Sequence, residues 1–248
     1  MEQSDFIFGM RPVTEAIQSG QEINKILLKS GGRSENLGAL MALIHQHSIP
    51  FQYVPEEKLN RVTRKIHQGV IAFLSSVEYQ DIEKLLPMLF EAGKTPLILI
   101  LDNVTDVRNF GSIARSAECA GADAILIPVK GSALINADAI KTSAGALNYI
   151  PVCRTLHLKQ TVEYLQASGL QILAATEKAE KDFYTADLTR PTAIILGAED
   201  TGISPELLRI AEPWVKIPLS GSIASLNVSV AAGILLFEAV KQRKLGIQ

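Results

Sequence analysis

The sequence predicts an α/β protein made of a small N-terminal α/β sandwich domain and a larger C-terminal domain with an open parallel sheet. Strand-like and helix-like segments alternate along the 248 residues, which is the pattern of βαβ units. The apolar run LILIL, residues 97–101, is typical of a strand buried on both faces of a parallel sheet. Polar clusters follow several later strands, at the edge where open α/β sheets bind ligands.

The N-terminal part contains a repeated helix and strand pattern. Helices are predicted at 11–20, 35–48 and 56–65, and strands at 25–29, 49–54 and 69–77. We assign residues 1–77 to this domain. An acidic helical segment with Pro87, Gly93 and Pro96 follows, and we interpret 78–95 as a linker.

The remaining residues, 96–248, form the C-terminal domain. Strands are predicted at 97–104, 124–128, 150–154, 171–177, 192–199 and 214–219. Helices are predicted at 109–122, 137–146, 161–169, 205–211 and 230–240. This order indicates a doubly wound parallel sheet.

Composition restricts the class of protein. The chain has 24 basic and 26 acidic residues, which argues against bulk non-specific nucleic-acid binding but permits a local basic patch. No segment has the length of a membrane helix, and the N-terminus lacks a signal-peptide layout. Cys119 and Cys153 show neither metal-ligand spacing nor a disulfide framework. We therefore expect two reduced core thiols in a cytoplasmic protein without a metal or membrane partner.

Three polar clusters follow predicted strands, at 102–117, 197–204 and 219–229. None has the glycine fingerprint of a nicotinamide or nucleoside triphosphate site. They predict a pocket of backbone and small polar groups, near Asn109, Arg115 and Glu199. Arg115 is placed to reach a phosphate or carboxylate, but it also fits a surface arginine. Ser225 and Asn227 fit a ligand site and a simple helix N-cap equally well. On these patterns alone the function stays open.

Together the clusters resemble the three motifs of the SpoU (TrmH-like) RNA ribose 2′-O-methyltransferases of the SPOUT superfamily. The first motif is matched by Asp102, Asp106, Asn109, Gly111 and Arg115. The second is matched by Gly197, Glu199 and Gly202, and the third by Pro218, Ser225, Leu226, Asn227, Ser229 and Glu238. The sequence departs from the family pattern at Val107, Ala198 and Asp200, and the last two put methyl-donor affinity in question.

The N-terminal stretches FGMRPVTEAI and IHQGVIAFLS are similar to the substrate-binding domain of the ribosomal-RNA branch of this family. This resemblance implies an RNA substrate, with large-subunit (23S) rRNA favoured over tRNA. The family resemblance also implies a deep trefoil knot in the C-terminal domain, S-adenosylmethionine as cofactor, and a homodimer whose two subunits share each active site.

The resemblance implies roles for particular residues. Arg115 would act as the base, or would stabilise the developing alkoxide, which is physically easier for a guanidinium. The other implied catalytic residues are Asn109, Glu199, Ser225 and Asn227. The implied cofactor-binding residues are Thr176, Gly197, Ile217, Ser225 and Leu226. The candidate RNA-binding residues are Arg11, Arg61, Arg64, Lys65 and Arg108.

Three alternatives differ in class. One is an RNA-binding relative that has lost catalysis, although the five candidate catalytic residues together argue against it. Another is a tRNA ribose 2′-O-methyltransferase, against which the N-terminal domain argues. The third is a Rossmann-type oxidoreductase, which lacks the expected glycine fingerprint.

Overall fold

The computed structural model describes residues 5–31 and 35–246, with the side chains of residues 35 and 36 outside that description. The chain forms two compact units. The first extends to Glu78 and includes the short segment Leu134–Ala137. The second contains Tyr79–Ala133 and the chain from Asp138 onward.

The first unit is built on a four-stranded sheet. Its elements are β1 (Phe6–Phe8), α1 (Met10–Gln18), β2 (Ile23–Lys29), α2 (Glu35–Gln46), β3 (Phe51–Val54), α3 (Glu56–Val62) and β4 (Val70–Leu74). The strand order is β1-β4-β2-β3, and only the β2–β3 pair is parallel.

Helices cover both faces of this sheet. Ile17 of α1 and Leu40 of α2 pack with Leu28 of β2 in one core cluster. Leu59 of α3 packs with Ile71 of β4 in a second cluster on the other face, because neighbouring strand residues point to opposite sides. The predicted α/β sandwich is confirmed.

Two features of the first unit differ from the prediction. The helix predicted to reach residue 65 ends at Val62, and Thr63 is already extended, with φ −151° and ψ 140°. Two consecutive β-branched residues disfavour a further helical turn. Arg64 and Lys65 therefore lie in a loop. The three-residue strand β1 was not predicted, since it is too short to show a periodicity.

The second unit is built on a seven-stranded sheet. Its strands are β5 (Tyr79–Gln80), β6 (Leu97–Asp102), β7 (Ala124–Pro128), β8 (Val152–Thr155), β9 (Gln171–Ala175), β10 (Thr192–Gly197) and β11 (Trp214–Val215). Its helices are α4 (Ile82–Glu91), α5 (Val107–Cys119), α6 (Ala137–Thr142), α7 (Leu158–Ala167), α8 (Pro205–Leu208) and α9 (Val228–Leu245). The strand order is β11-β9-β10-β6-β7-β8-β5, and every pair is parallel. The predicted parallel sheet is confirmed.

Both faces of this sheet are buried. Ile98 and Ile100 of β6 pack with Leu86 of α4, Val162 of α7 and Leu207 of α8. Leu99 and Leu101 point to the opposite face and are also buried. On that face α9 contacts β10 and packs along α5. This double burial explains why β6 reads as an uninterrupted apolar run.

Residues 78–95, for which a linker was predicted, contain regular structure that belongs to the second unit. β5 pairs with β8, and Ile82 and Leu86 of α4 lie in the core. The Asp81 side chain caps α4 by accepting from the N–H of Glu83 at 2.9 Å. Pro87 does not end this helix.

The cysteines differ from each other. Cys153 is buried, as predicted, but Cys119 is exposed at the end of α5 and is not a core thiol. Burial raises the pKa of the Cys153 thiol to about 12, with a smaller contribution from the Asp81 carboxylate. Within the two described ranges, no helix combines the length and apolar character needed to cross a membrane.

This difference predicts the thiol reactivity of the folded protein. At neutral pH one thiol per chain, that of Cys119, should react quickly with a chromogenic disulfide reagent, and both should react after denaturation. Cys119→Ser should remove the fast reaction, whereas Cys153→Ser should leave it unchanged. Fast labelling of Cys153 in the folded protein would contradict the buried position.

Arg243 fixes the end of α9 to the amino ends of two strands. Its Nη1 donates to Thr95 O at 2.7 Å, and its Nη2 donates to Pro96 O at 3.2 Å and Arg190 O at 2.9 Å. Its Nε donates to Leu188 O at 3.0 Å. Burial lowers the pKa of the Arg243 guanidinium, so these carbonyl oxygens take the place of water around the charge.

Removal of this side chain should destabilise the protein. We expect Arg243→Ala to lower the free energy of unfolding by about 2–4 kcal/mol, because it leaves carbonyl groups without their donors. Lys244→Ala, which removes an exposed cation from the same turn, should change it by less than about 0.5 kcal/mol. Urea unfolding measures both values. Equal stability of the two variants would contradict the role of Arg243.

Candidate active site

Three loops of the second unit meet at the carboxyl ends of its central strands. Asp102, the last residue of β6, is in register with Gly197, the last residue of β10. After β6 the Asp106 carboxylate caps α5 by accepting from the Asn109 N–H at 2.7 Å. The third loop leads to Asn227, the N-cap of α9. All three segments are those singled out in the sequence.

Asn109, Glu199 and Asn227 form one hydrogen-bonded cluster. Glu199 Oε1 accepts from Asn109 Nδ2 at 3.2 Å and from Asn227 Nδ2 at 2.7 Å. Asn227 Nδ2 also donates to Asn109 Oδ1 at 3.0 Å. The main-chain N–H of Val228 donates to the same Glu199 oxygen at 3.2 Å. The Glu199 carboxylate therefore joins the first turns of α5 and α9.

Asn227 is the N-cap of α9, which was one of the two alternatives left by the sequence, and its amide also belongs to the Glu199 cluster. Its Oδ1 accepts from the Ser229 N–H at 2.9 Å, which caps α9. Its Nδ2 binds Glu199. The cap fixes the rotamer of Asn227, and this fixed rotamer presents its amide nitrogen to the Glu199 carboxylate.

Arg115 and Ser225 lie outside this cluster. Arg115 is exposed on α5, six residues after Asn109, and positions six apart project from different sides of a helix. Among the described residues Arg115 has no hydrogen bond or ion pair. Ser225 is exposed in the loop before α9 and faces the cavity described next. Thus a single chain brings together three of the five candidate catalytic side chains.

A cavity of about 430 Å³ opens beside the cluster, at the carboxyl ends of β9 and β10. The sequence-predicted cofactor residues that line it are Thr176, Gly197, Ile217, Ser225 and Leu226. Glu199 lines the same cavity, so the cluster and the cavity share a carboxylate. A volume of this size is within the range of small-molecule sites.

The cavity wall depends on a close approach between two backbone segments. A Cβ at Gly197 would stand 2.1 Å from the carbonyl carbon of Gly202, closer than any real contact. Gly202 has φ +68°, in the left-handed region that glycine adopts without strain. Its N–H donates to Ala198 O at 2.9 Å, which closes the loop. The departures at Ala198 and Asp200 lie in this loop and line the cavity.

Asp102 holds the loop after β10 through the Ser204 N–H, a role that the sequence did not indicate. Its side chain is only 4% exposed, and its Oδ2 accepts from the Ser204 N–H at 2.6 Å. Its Oδ1 accepts from Asn103 Nδ2 at 2.8 Å. The buried carboxylate therefore ties the end of β6 to the start of α8, 102 residues later.

The sequence analysis did not identify several apolar residues of the cavity. They are Leu196, Ile203, Leu219, Val228 and Ala231. Leu196 and Ala231 lie inside predicted elements, and the other three lie in the polar clusters. Position in or next to a polar cluster was the only available signal. Carboxylates of Glu177 and Asp200 also face the cavity. The cavity thus combines apolar surface, hydroxyl groups and negative charge.

The candidate RNA-binding residues are divided between the two units. Arg11, Arg61, Arg64 and Lys65 are exposed in the first unit, and Arg108 is exposed in the second. Arg11 forms a surface ion pair with Glu15 at 2.8 Å, whereas Lys65 Nζ lies 5.9 Å from the centre of the Phe8 ring.

Among the described residues no group of His, Cys, Asp and Glu has the arrangement of a metal site.

Family comparison matches almost the whole chain. The model of the SpoU rRNA Methylase family matches residues 96–237. The model for RNA 2′-O ribose methyltransferase substrate binding matches residues 6–80.

Two relatives match over nearly their full lengths. The 23S rRNA (guanosine-2′-O-)-methyltransferase RlmB of Pseudomonas putida is 37% identical over 247 residues, which covers 99% of each chain. The putative TrmH family tRNA/rRNA methyltransferase YacO of Bacillus subtilis is 31% identical over 242 residues, covering 98% of this chain and 97% of that protein.

Solved structures agree with these relatives. The SpoU methyltransferase AviRb from Streptomyces viridochromogenes, in complex with the cofactor AdoMet, superimposes with a TM-score of 0.61. The sequence identity is 25%, and the match covers 97% of this chain and 91% of AviRb.

Proposed function

This chain belongs to the SpoU rRNA methylase family, and we propose that it transfers the methyl group of S-adenosylmethionine to a ribose 2′-oxygen of 23S rRNA. One observation carries the proposal. The five residues assigned to the methyl donor line one cavity, and Glu199 of that cavity is hydrogen-bonded to Asn109 and Asn227.

The cavity fits S-adenosylmethionine chemically. Its apolar residues, among them Ile217 and Leu226, suit the adenine ring, and the Gly197–Gly202 approach exposes backbone groups to it. The carboxylates of Glu177, Glu199 and Asp200 suit the positive sulfonium and ammonium groups. When bound, the cofactor supplies a methyl group attached to a sulfonium sulfur. The leaving group is then a neutral thioether, which requires no metal.

The chain's own task is to orient and activate a ribose hydroxyl. A 2′-hydroxyl is scarcely ionised at neutral pH, so it must be aligned and must lose its proton during attack. Asn109 and Asn227, held by Glu199, form a fixed polar wall against which the ribose is oriented. Ser225 lines the cavity, and we assign it a place between the methyl donor and the ribose.

We assign to Arg115 the stabilisation of the negative charge in the transition state. A guanidinium keeps its proton in proteins, so it acts by stabilising the negative charge that develops on the 2′-oxygen. Arg115 is exposed and has no partner among the described residues, which leaves it available for the RNA.

We further propose a homodimer in which Arg115 of the partner subunit completes each site. Val230 and Phe237, two turns apart on one side of α9, are 50% and 51% exposed. They lie on the helix that packs along α5, which carries Arg115. Apolar side chains exposed together on one helix are typical of an interface.

The proposal also includes a deep trefoil knot in the catalytic domain and a cytoplasmic location, where rRNA is available.

A mixed dimer tests where Arg115 acts. Arg115→Ala and Asn227→Ala homodimers should each be inactive. If Arg115 acts on the partner's site, random mixing after unfolding and refolding should restore about a quarter of wild-type activity, because each heterodimer then has one intact site. No recovery in a mixture shown to contain heterodimers would place Arg115 in its own subunit's site.

The first unit is the proposed RNA-binding domain, and rRNA is the preferred substrate. The substrate-binding family model covers residues 6–80, and a relative that matches this chain end to end is a 23S rRNA enzyme. A tRNA substrate remains the second candidate because another full-length relative is described as a tRNA/rRNA methyltransferase. The retained Asn109, Glu199 and Asn227 cluster argues against an inactive relative.

Methyl transfer to fractionated RNA tests the function. Protein is incubated with S-adenosylmethionine labelled in the methyl group and with large-subunit rRNA, small-subunit rRNA or tRNA, each lacking the native modification. We expect label in large-subunit rRNA. Label confined to tRNA would contradict the substrate assignment, and no transfer to any RNA or ribosomal particle would contradict the enzymatic function.

A further inference from the structure

The first unit contains a polar cavity of about 450 Å³ between the start of α1 and the loop that joins α3 to β4. Met10, Leu37 and Ile66 supply apolar surface, and Asn60 and Gln68 supply carboxamide groups. Ile66 is 86% exposed and so leaves apolar surface open to a ligand.

Buried His67 determines the orientation of the Asn60 amide. The Gly69 N–H donates to His67 Nδ1 at 3.0 Å, so this nitrogen carries no proton. The proton of the ring is therefore on Nε2, which lies 3.1 Å from Asn60 Oδ1 and donates to it. The Asn60 oxygen is occupied, and its amide nitrogen is directed elsewhere.

The Gln68 amide is oriented by the backbone of α1. Its Oε1 accepts from the Met10 N–H at 3.2 Å. Gln68 has φ +51°, in the left-handed region that is strained for a residue with a side chain. Such strain persists only where surrounding contacts impose it, and it is concentrated at functional sites.

The cavity consequently offers donors rather than acceptors. Among the described residues neither Asn60 Nδ2 nor Gln68 Nε2 has a hydrogen-bond partner. Three charged residues line the cavity: Lys29 and Glu56 pair with each other, and Lys65 adds a further donor. A ligand that fits has a flat apolar body and carbonyl or ring-nitrogen acceptors along one edge.

We propose that this cavity binds an unpaired nucleobase of the substrate RNA, and that it prefers uracil or guanine to cytosine or adenine. The proposal rests on the proposed function, since RNA is the substrate that brings a base to this unit. We place the two amides at the exocyclic group of pyrimidine C4 or purine C6. Uracil O4 and guanine O6 accept hydrogen bonds there, whereas cytosine and adenine carry an amino group, which donates. Bases in single-stranded loops and bulges are accessible in this way, but those in duplexes are not.

The surroundings of the cavity suit an RNA strand. Arg61, Arg64 and Lys65 are exposed on the same α3 end and loop, where they are placed for the phosphates on either side of the inserted base. Ile66 at the mouth provides the surface against which the base packs. Phosphate contacts give affinity, and the two amides give base preference.

Labelled oligouridine and oligocytidine of equal length test the preference, because the two bases differ at the edge that the cavity reads. By fluorescence anisotropy at low salt, the wild-type protein should bind oligouridine about tenfold more tightly. Asn60→Asp and Gln68→Glu keep the oxygens that accept from His67 and Met10, but replace the free donors with oxygen. Each should reduce the ratio of the two Kd values to within about twofold.

Gln52→Glu is the matched control, since it adds the same charge at an exposed amide on β3. It should weaken binding of both oligonucleotides equally and keep the tenfold ratio. Ile66→Ala should weaken both and also keep the ratio. Thermal unfolding of each variant verifies that it is folded.

Other results would overturn the cavity assignment. They are equal binding of the two oligonucleotides by wild type, no binding of either, or an unchanged ratio in both folded cavity variants. Methyl transfer to rRNA is measured on the same preparations. Methyl transfer without a base preference would support the proposed function and contradict the cavity assignment. A base preference without transfer to any RNA would support the cavity assignment and contradict the proposed function.

Discussion

Arg115→Ala is expected to abolish methyl transfer while the protein still binds S-adenosylmethionine. We expect kcat to fall by at least about 100-fold, which is typical for removal of a group that stabilises transition-state charge. Arg115 is exposed and makes no contact that the fold requires among the described residues. Its removal should therefore leave the thermal unfolding temperature and the cofactor cavity unchanged.

The measurement is single-turnover methyl transfer together with calorimetric titration of the cofactor. Arg209→Ala, which removes another exposed arginine of the second unit, serves as the control and should retain activity. Arg115→Lys keeps the charge but loses the planar fork, so we expect partial activity at most. An Arg115→Ala enzyme with rates near wild type would remove this residue from the mechanism.

Gly197→Ala is expected to have the second large effect, through the cofactor cavity. The added Cβ would stand 2.1 Å from the carbonyl carbon and 2.3 Å from the carbonyl oxygen of Gly202, and both are backbone atoms. The loop that contains Glu199 must therefore shift, and the cavity wall shifts with it. We expect cofactor affinity to fall by at least about 30-fold, with a stability loss of about 1–3 kcal/mol from overpacking.

Gly221→Ala provides the matched control because a Cβ there meets nothing within 4 Å. It lies in the third polar segment but does not line the cavity. Calorimetric titration should give a Kd for S-adenosylmethionine close to the wild-type value. Equal affinities of the Gly197 and Gly221 variants would show that the close approach at Gly197 does not shape the cofactor site.

The parallel sheet was predictable because burial on both faces leaves a strong local signal. The run LILIL of β6 has no polar residue, and each of its residues is buried. A strand was predicted at 214–219, but only Trp214–Val215, which pair with β9, form β11. The two-residue strand β5 carries no local signal, since its existence depends on its pairing with β8, far along the chain. For the same reason α4 was assigned to a linker. Its proline and its charges are local features, but Ile82 and Leu86 pack against strands that come later.

The site was predictable in its residues but not in its geometry. Motif resemblance named Asn109, Glu199 and Asn227, whose bonds join positions up to 118 residues apart. Asp102 was named without a role, because its bond to the Ser204 N–H exists only once β6 and β10 pair. Arg243 was not named at all, since its four acceptors are backbone carbonyls, which no sequence pattern marks.

The position of the transferred methyl group tests the central claim most directly. RNA methylated by the purified protein with labelled cofactor is hydrolysed in alkali, which cleaves RNA only where the 2′-hydroxyl is free. If the ribose 2′-oxygen is the nucleophile, the label will appear in an alkali-stable dinucleotide, and Arg115→Ala will give none. Label in mononucleotides would mean that a base is methylated, and would contradict the assigned chemistry of this site.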